Sequence, residues 1–374
     1  MRSSPARVGD PVVAIDTPAL VIDLDAMERN LGAMAVAARE RGMRLRPHAK
    51  MHKSAAIAAL QMAAGAVGVC VQKLGEAEAL AAAGVGNLYI SNQIVAPAKL
   101  QRVAALAQRV KLAIAVDSAI GIDRLAEALR AAGSPPIDVF VEVDVGHGRC
   151  GVPPAAAGAL AHAVVAHGLH FAGLQAYQGR AQHLRSADAR RDAIAHAVGL
   201  ARAAQASVTA SGLVCPLVTG AGTGSFVLEA ASGVYGELQC GSYLFMDADY
   251  RGVEPLPGAP VFEHALFIRS QVVSSGLAHA VCDAGHKSHA IDSGLPTVWG
   301  AALAYGNGGD EHGILTPAPG TDAALPAVGE AVWLVPGHCD PTVNLHDWYV
   351  GVRGGLDTGH VECVWPVDAR GCVG

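Results

Sequence analysis

The sequence contains few aromatic and few charged side chains, and it has no long hydrophobic run. Aromatic residues make up 5% of its 374 residues and charged residues 16%. Because no stretch of about 18 uncharged apolar residues occurs, no membrane-spanning helix is expected. The net charge is −6 without any block of basic residues, so binding to nucleic acid is not expected either.

Closely spaced cysteines and a secretory signal are also missing. The eight cysteines are scattered and form no Cys-x-x-Cys pair, which disfavours a zinc knuckle or a disulfide framework. Met1–Pro5 does not lead into the apolar segment that a secretory signal needs. These two absences predict a cytoplasmic enzyme with reduced thiols.

Small and aliphatic residues are abundant and recur in a regular order. The chain is 51% hydrophobic with 44 glycines, as expected of a large α/β core. Between Arg44 and about Phe245, short apolar runs that end in polar residues alternate with alanine- and leucine-rich helical segments. Eight strands joined by crossover helices predict a closed parallel (β/α)8 barrel of the TIM type. The predicted strands are Leu45–Lys50, Val67–Gln72, Asn87–Ser91, Leu112–Asp117, Ile137–Asp144, Phe171–Tyr177, Pro216–Thr219 and Leu238–Phe245.

The pattern changes after Pro255, where helical spacing gives way to β-rich runs separated by proline and glycine turns. This change predicts a separate antiparallel β domain. The early run Ala19–Leu24 is also strand-like and is expected to pair with that domain. We therefore predict a barrel over residues 26–255 and a β domain over residues 256–374 that includes residues 11–25. The late strands are predicted at Ala265–Val273, His279–Asp283, Ala331–Val335 and Trp348–Val352.

A basic segment, Arg46–Lys53, ends the first predicted strand. Lys50 is expected in a partly desolvated place near the cations of His48, His52 and Lys53. Desolvation and like charge both lower the pKa of an amine, which would make Lys50 a nucleophile able to form a Schiff base. An ordinary surface lysine in a basic turn remains the alternative.

Polar residues follow the end of every predicted barrel strand. Catalytic groups of barrel enzymes gather at the carboxyl ends of the strands, so a site is expected there. In the fifth strand, Glu142 and Asp144 alternate with valines and are predicted to face the lumen, as site groups or as a structural ion pair. The polar strand ends are Lys50, Gln72, Asn92, Asp117, Asp144 with His147 and Arg149, Tyr177 with His183, Thr219 to Thr223, and Gly241 to Tyr243.

A glycine-rich segment, Thr219–Ser225, follows the seventh strand. Glycines let backbone N–H groups turn toward an anion, and the hydroxyl groups add donors. Phosphate sites of such barrels use the loops after strands seven and eight, so Gln239–Tyr243 is expected to supply the second half of the site. The residues predicted to form this phosphate site are Thr219, Gly222, Thr223, Gln239, Gly241 and Tyr243.

The segment Gly337–Pro341 follows the predicted strand Ala331–Val335. If it is extended, His338 and Asp340 share one face and Cys339 lies on the other. An imidazole beside a carboxylate suits a divalent metal such as Mn²⁺, Mg²⁺ or Zn²⁺, whereas a thiolate zinc site is disfavoured. A turn or a hydrogen-bonded pair without metal is the alternative.

In combination these segments resemble a known family. They look like D-threonine aldolase and D-3-hydroxyaspartate aldolase, which belong with the D-serine dehydratases among the fold-type III, alanine-racemase-like pyridoxal-phosphate enzymes. The resemblance covers nearly the whole chain. It rests on Asp16–Leu20, Arg46–Lys50, Gln175–Tyr177, Thr219–Thr223 and His338–Pro341.

The resemblance implies a cofactor and a metal. Pyridoxal 5′-phosphate would be joined to Lys50 as a Schiff base, and a divalent cation would be bound by His338 and Asp340. Mn²⁺ is favoured, with Mg²⁺, Co²⁺ and Zn²⁺ as alternatives. The dehydratases have a cysteine as the second metal ligand, so Asp340 favours the aldolases.

The implied activity is retro-aldol cleavage of a small β-hydroxy-D-amino acid to glycine and an aldehyde. His183 is the expected base, although an isolated loop histidine is the alternative. Gln72, Arg149 and Tyr177 are expected beside the cofactor. A homodimer is expected from the family. A D-serine or 3-hydroxyaspartate dehydratase, an amino-acid racemase and a non-catalytic cofactor-binding protein remain open.

Overall fold

Two sheets make up the fold. The structure is a computed structural model and describes residues 3–374. The first strand, β1 (Ala19–Asp23), belongs to the second sheet, and the next eight strands form the first. These eight strands are β2 (Arg44–Leu45), β3 (Val69–Val71), β4 (Asn87–Ile90), β5 (Lys111–Val116), β6 (Asp138–Glu142), β7 (His170–Ala176), β8 (Val218–Gly220) and β9 (Glu237–Leu238).

The first sheet is a closed parallel barrel. Neighbouring strands follow the order β2-β9-β8-β7-β6-β5-β4-β3. The residues after β2 then pair with β3, because Ala49 N donates to Cys70 O at 2.7 Å and Cys70 N donates to Pro47 O at 2.8 Å. This closure confirms the predicted (β/α)8 barrel.

Helices cover the outside of the barrel and pack on it through small side chains. Alanine, valine and leucine from the helices and strands form one buried cluster around the barrel. Several helices begin at a capping side chain, as where Ser118 and Ser186 accept from the backbone N–H groups of Gly121 and Ala189. The helices are α1 (Leu24–Glu40), α2 (Ala55–Ala63), α3 (Leu74–Ala82), α4 (Pro97–Ala107), α5 (Ala119–Ala131), α6 (Ala157–Ala166), α7 (Ala187–Ala210), α8 (Phe226–Ala231), α9 (Ala248–Arg251) and α10 (Cys339–Val343). None of the helices in residues 3–374 combines the length and hydropathy of a membrane span.

The second sheet combines β1 with the strands that follow the barrel. Strand β1 lies between an antiparallel neighbour, β10, and a parallel neighbour, β16. The confirmed fold class is thus a barrel with a second, largely antiparallel sheet, while the predicted boundary at residues 255 and 256 stays a prediction. The strands are β10 (Leu266–Ser275), β11 (Ala280–Cys282), β12 (Thr297–Trp299), β13 (Leu303–Asn307), β14 (Gly313–Pro317), β15 (Ala331–Val335), β16 (Trp348–Arg353) and β17 (His360–Pro366).

Two predicted strands end at least five residues earlier in the structure. Strand β2 ends at Leu45, ahead of Pro47, which has no N–H to continue a ladder, and Lys50 lies in the turn that follows. The predicted strand Leu238–Phe245 ends at Leu238 and continues into a 3₁₀ turn. Its apolar residues are buried between the barrel and the second sheet, where Phe245 packs 5.8 Å from Tyr349 between ring centroids. Burial, rather than sheet pairing, explains why the residues of this run are apolar.

Candidate active site

A cavity opens at the carboxyl ends of the barrel strands, where the sequence predicted a site. Eight of the predicted residues line it, namely Lys50, Gln72, Arg149, Tyr177, Gly222, Thr223, Gln239 and Gly241. The same cavity is lined by His48, Met51, Ser91, Gln175, Ala221, Ser242 and Tyr250. A larger cleft of about 850 Å³ lies beside the second sheet near Arg251 and Trp299, and none of the predicted residues line it.

Lys50 contacts the carboxylate of Asp340 across the mouth of the barrel. Burial lowers the pKa of Lys50 and is the largest single effect, but the charge and hydrogen bond of Asp340 outweigh it. The pKa of Lys50 is therefore raised, and the predicted fall is wrong. The paired carboxylate was not foreseen because Asp340 lies 290 residues further along the chain.

The imidazoles next to Lys50 are neutral. Burial lowers the pKa of His48 to about 3 and that of His52 to about 4, so neither supplies the expected positive charge at neutral pH. His48 Nε2 lies 3.1 Å from Ser91 Oγ, and His52 Nε2 lies 3.2 Å from Gln61 Oε1. Lys53 is directed away into a buried pair with Glu76. These residues support the turn rather than lower the pKa of Lys50.

His338 and Asp340 come together at the start of a helix, not along a strand. His338 is extended and precedes α10, so the predicted strand alternation is wrong. The pair still meets, because His338 Nε2 lies 3.9 Å from Asp340 Oδ1, while His338 Nδ1 lies 2.6 Å from Asp292 Oδ2. Cys339 is buried and turned away, with its Sγ directed at Met246 O.

The donor set of this pair fits a divalent cation with an open coordination sphere. Residues 3–374 contain no group of three or more His, Cys, Asp or Glu side chains arranged around a metal. A cation at His338 and Asp340 would thus have two protein ligands and would take the others from water or substrate. Asp292 fixes the ring so that Nε2 faces Asp340, as outer carboxylates of metal sites do.

The loops after β8 and β9 form an anion cradle. Within residues 3–374, no acceptor is found for the backbone N–H groups of Gly222, Thr223, Gly241 and Ser242. A Cβ at Gly222 would overlap the side chain of Gln182, and one at Gly241 would lie 3.0 Å from His48 O. Free N–H groups on backbone that only glycine allows to approach closely fit a phosphate.

Two predicted residues of the phosphate site do not line the cavity. Thr219 is fully buried below it and bonds Glu237 Oε1 at 3.0 Å. The ring of Tyr243 is also fully buried, with its hydroxyl group 3.3 Å from Gln61 Nε2. Only the backbone of Tyr243 joins the cradle, because its N–H donates to Thr223 Oγ1 at 3.0 Å.

Arg149 and Tyr177 form one wall of the cavity. The guanidinium carbon of Arg149 lies 6.0 Å from the centroid of the Tyr177 ring. Arg149 belongs to a tight loop whose shape is set by Asp144, because its Oδ1 accepts from Gly146 N and Gly148 N at 2.9 and 3.0 Å. Asp144 therefore supports the loop, while Glu142 is buried beside Arg149.

His183 lies beside the cavity without lining it. It ends the 3₁₀ turn Arg180–His183 that follows β7, and its side chain is 55% exposed. Its Nδ1 lies 2.8 Å from Asp249 Oδ2. The ring stands 6.3 Å from Tyr250, a residue of the cavity wall.

Sequence reasoning missed Tyr250, Asp249 and Asp292. The segment Asp247–Arg251 lies past the last predicted strand and resembles a polar linker. Its capping pattern, an Asp three residues before Tyr250, was the available signal for the short helix α9. Asp292 lies in a loop, and no sequence pattern around it indicates a functional role.

Two family models match the chain in succession. The model of the alanine racemase N-terminal domain matches residues 22–249, and that of a putative serine dehydratase domain matches residues 265–352. The barrel, the lysine at its mouth and the second sheet thus define an enzyme of the alanine-racemase-like class.

Full-length relatives narrow this class. The chain is 45% identical over 372 residues to D-threonine aldolase of Arthrobacter sp., which covers 98% of this chain and 96% of that protein. It is 44% identical over 377 residues to 3-hydroxy-D-aspartate aldolase of Paracoccus denitrificans (strain Pd 1222), covering 98% and 95%. The crystal structure of D-threonine aldolase from Filomicrobium marinum matches with a TM-score of 0.95 at 48% identity and covers 100% of both chains. The chain belongs to this aldolase family and is a lyase, as the resemblance predicted.

Proposed function

We propose that this chain is a retro-aldolase that cleaves β-hydroxy-D-amino acids to glycine and an aldehyde, using pyridoxal 5′-phosphate and a divalent cation. The observation that carries the proposal is the contact between the Lys50 ammonium and the Asp340 carboxylate at the barrel mouth. It joins the candidate cofactor lysine to the candidate metal pair, which supports one site where both groups act on one substrate. The names of the full-length relatives support the substrate class.

Pyridoxal phosphate would be held by Lys50 at one end and by the N–H groups of the two cradle loops at its phosphate. Gln72, Arg149 and Tyr177 line the cavity between these ends and would contact the ring. When bound, the cofactor supplies an electron sink for the pair released from the Cα–Cβ bond. The cavity walls keep that bond aligned and away from bulk water.

His338 and Asp340 would hold the cation, and Mn²⁺ is our first choice for it. A bound cation supplies Lewis acidity that favours ionisation of the β-hydroxyl group of the substrate. Asp292 orients His338 for this task through Nδ1. The two protein ligands leave positions open for that hydroxyl group.

His183 is the proposed base. Its Nε2 would receive the β-hydroxyl proton as the Cα–Cβ bond breaks, and the hydroxyl oxygen becomes the carbonyl oxygen of the aldehyde. Nδ1 is already engaged by Asp249, so Nε2 is the ring atom available for this proton. The position of the ring beside Tyr250, a residue of the cavity wall, supports the role.

We also propose two domains, the barrel over residues 26–255 and the β domain over residues 256–374 together with residues 11–25. The pairing of β1 with β10 and β16 supports the assignment of the N-terminal strand. A cytoplasmic homodimer is the proposed working state. All eight cysteines are free, in keeping with a reducing compartment.

A substrate panel tests the function. Purified protein loaded with cofactor is given D-threonine, 3-hydroxy-D-aspartate and D-serine, after EDTA treatment and again with added Mn²⁺. We expect glycine with an aldehyde or glyoxylate from the first two only when metal is present. Ammonia with a 2-oxo acid would instead assign a dehydratase.

Lysine variants test the cofactor. Lys50→Ala is expected to remove the absorption band of the lysine-linked cofactor, while Lys111→Ala, at the opposite end of a barrel strand, retains it. A colourless wild type without affinity for pyridoxal phosphate would refute the cofactor assignment. Cleavage that proceeds fully in EDTA would remove His338 and Asp340 from the mechanism.

A further inference from the structure

The imidazole of His183 has one hydrogen-bond partner within residues 3–374, the carboxylate of Asp249. The distance from Nδ1 to Oδ2 is 2.8 Å. An ionised carboxylate can only accept, so Nδ1 must carry the hydrogen and the neutral ring keeps its lone pair on Nε2. The contact therefore selects one of the two tautomers.

Asp249 is itself held in place. It is 8% exposed, and the guanidinium group of Arg185 contacts both its Oδ1 and its backbone carbonyl oxygen. With Oδ1 occupied, Oδ2 is the oxygen left for His183. The carboxylate thus has a fixed direction, which an exposed and freely rotating side chain would not have.

Helix α9, which contains Asp249, is hydrogen-bonded to the segment that contains His338 and Asp340. Asp247 caps α9 by accepting from Tyr250 N at 3.0 Å through Oδ1, and its Oδ2 accepts from Cys339 N at 3.0 Å. Ala248 N donates to Pro336 O at 3.0 Å. These two links lie on either side of His338, so α9 and His338 keep a constant separation.

The His183 ring lies beside the cavity, next to one of its lining residues. The ring of Tyr250 lies 6.3 Å away and is part of the cavity wall that contains Lys50. No hydrogen-bond partner of Nε2 occurs in the part of the chain that the structure describes. A ring held at Nδ1 and free at Nε2 is arranged to accept a proton.

Building on the proposed function, we infer that Asp249 is a positioning residue for the base. It keeps His183 in the Nδ1–H tautomer, with Nε2 free for the β-hydroxyl proton of the substrate. Through α9 it also sets the distance between this base and the His338–Asp340 pair. If Asp249 served only to pair with Arg185, the contact of its Oδ2 with His183 and the fixed tautomer of that ring would not be needed.

Kinetics of Asp249→Asn provide the first test. The amide keeps the shape of the side chain but can donate to Nδ1 and so favour the other tautomer. We expect kcat of the holoenzyme with Mn²⁺ to fall about 10- to 100-fold, the scale on which carboxylates that orient a histidine contribute at metal sites, with KM changed less than about threefold. Asp188→Asn, an exposed surface change, is the control and should behave as wild type.

Two further measurements separate positioning from a general loss of structure. The ¹⁵N spectrum of the His183 ring should show Nδ1 protonated and Nε2 unprotonated in wild type, and a mixture or the reverse in Asp249→Asn. In a double-mutant cycle, Asp249→Asn should cost little further activity once His183→Ala is present, because the two residues act as a unit. If Asp249→Asn does not fold, Arg185→Lys replaces it, and the wild-type spectrum still decides the tautomer.

Clear results would overturn the inference. A wild-type ring protonated at Nε2 would refute the tautomer, and unchanged kcat in Asp249→Asn or additive costs in the cycle would refute positioning. A wild type that forms no glycine from any β-hydroxy-D-amino acid refutes the proposed function instead. The ring spectrum separates that failure from a failure of the Asp249 contact.

Discussion

His338 depends on Asp292 for its orientation. The Asp292 carboxylate holds Nδ1 at 2.6 Å and leaves Nε2 on the side of Asp340. Without this contact Nδ1 would keep only the longer contact with Ser293 Oγ at 3.4 Å, and a cation at Nε2 would have to restrict more of the ring's rotation on binding. Asp292 is therefore expected to influence metal affinity without touching the metal.

Asp292→Asn is expected to weaken Mn²⁺ binding about 10- to 100-fold, because outer carboxylates of metal-binding histidines contribute on this scale. Calorimetric titration of the metal-free protein measures it. Asp322→Asn, an exposed change away from the site, is the matched control. Equal Mn²⁺ affinities of the two variants would contradict the role.

Glu229 is a buried carboxyl group in α8. Ser225 Oγ donates to its Oε1 at 2.8 Å, and its Oε2 has no partner within residues 3–374. Burial raises its pKa to about 7, so the folded protein keeps a proton that the unfolded chain loses near pH 4.3. This contribution to the free energy of unfolding is complete below about pH 4.3 and is lost as the pH rises through about 7.

Glu229→Gln should therefore remove a pH dependence. Because of this group, we expect the free energy of unfolding of the wild type to fall by about 3 kcal/mol between about pH 4.3 and pH 7–8. That of the variant should show no such fall. Urea unfolding at pH 5, 6, 7 and 8 measures the difference in slope. Glu127→Gln, on an exposed helix face, is the control, and a slope like that of wild type in Glu229→Gln would contradict the assignment.

At the scale of elements, the 3₁₀ turn Arg180–His183 connects two parts of the site. Gln182 Oε1 accepts from Gly224 N at 2.9 Å, and Gln182 Nε2 donates to Ser225 Oγ at 2.7 Å. The next residue, His183, bonds α9. One turn thus holds the anion cradle on one side and the candidate base on the other.

Gln182→Ala should weaken the cradle. The loss of two buried hydrogen bonds to the loop is expected to cost about 1–2 kcal/mol, which corresponds to about a tenfold rise in the Kd of pyridoxal phosphate. Absorbance titration of cofactor-free protein gives the Kd, and Gln108→Ala on the outer surface serves as control. An unaltered Kd would show that the loop holds its shape without Gln182.

Elements that depend on a local pattern of apolar residues could be predicted from the sequence. Strands β4 and β15 lie where the hydrophobic pattern predicted them, because the apolar pattern and burial agree there. The pattern failed for Leu238–Phe245, where apolar residues are buried without sheet pairing, and for His338–Asp340, which begins a helix. A short apolar or polar run does not show whether its residues will form a strand, begin a helix or lie buried without sheet pairing.

Contacts between distant parts of the chain were beyond sequence reasoning. Polar residues at several predicted strand ends line the cavity, since parallel strands bring their carboxyl ends together. The partner of Lys50 is 290 residues away and that of His183 is 66 residues away. No local pattern encodes such pairs, so the charge state of Lys50 was mispredicted.

At the scale of the whole molecule, β1 holds the second sheet together. Ile22 on β1 is fully buried, opposite Leu266 of β10 and Gly351 of β16. Its side chain lies in the core cluster that also contains residues of α1 and of the segment after β9. A smaller residue there would leave a cavity between the barrel and the second sheet.

Ile22→Ala is expected to lower the free energy of unfolding by about 2–5 kcal/mol, the range for such truncations in a packed core. Urea unfolding followed by circular dichroism measures it. Val13→Ala, whose side chain is 72% exposed, should change little. A loss below 1 kcal/mol in Ile22→Ala would mean that the core collapses around the missing methyl groups.

The position of β1 also sets the order in which the site is completed during synthesis. The parallel partner of β1 in β16 is made about 330 residues after it, a delay of tens of seconds at about 5–20 residues per second. A nascent chain can close the barrel and hold Lys50 before His338 and Asp340 exist. In the proposed function, the candidate cofactor lysine would thus be in place before the candidate metal pair is synthesised.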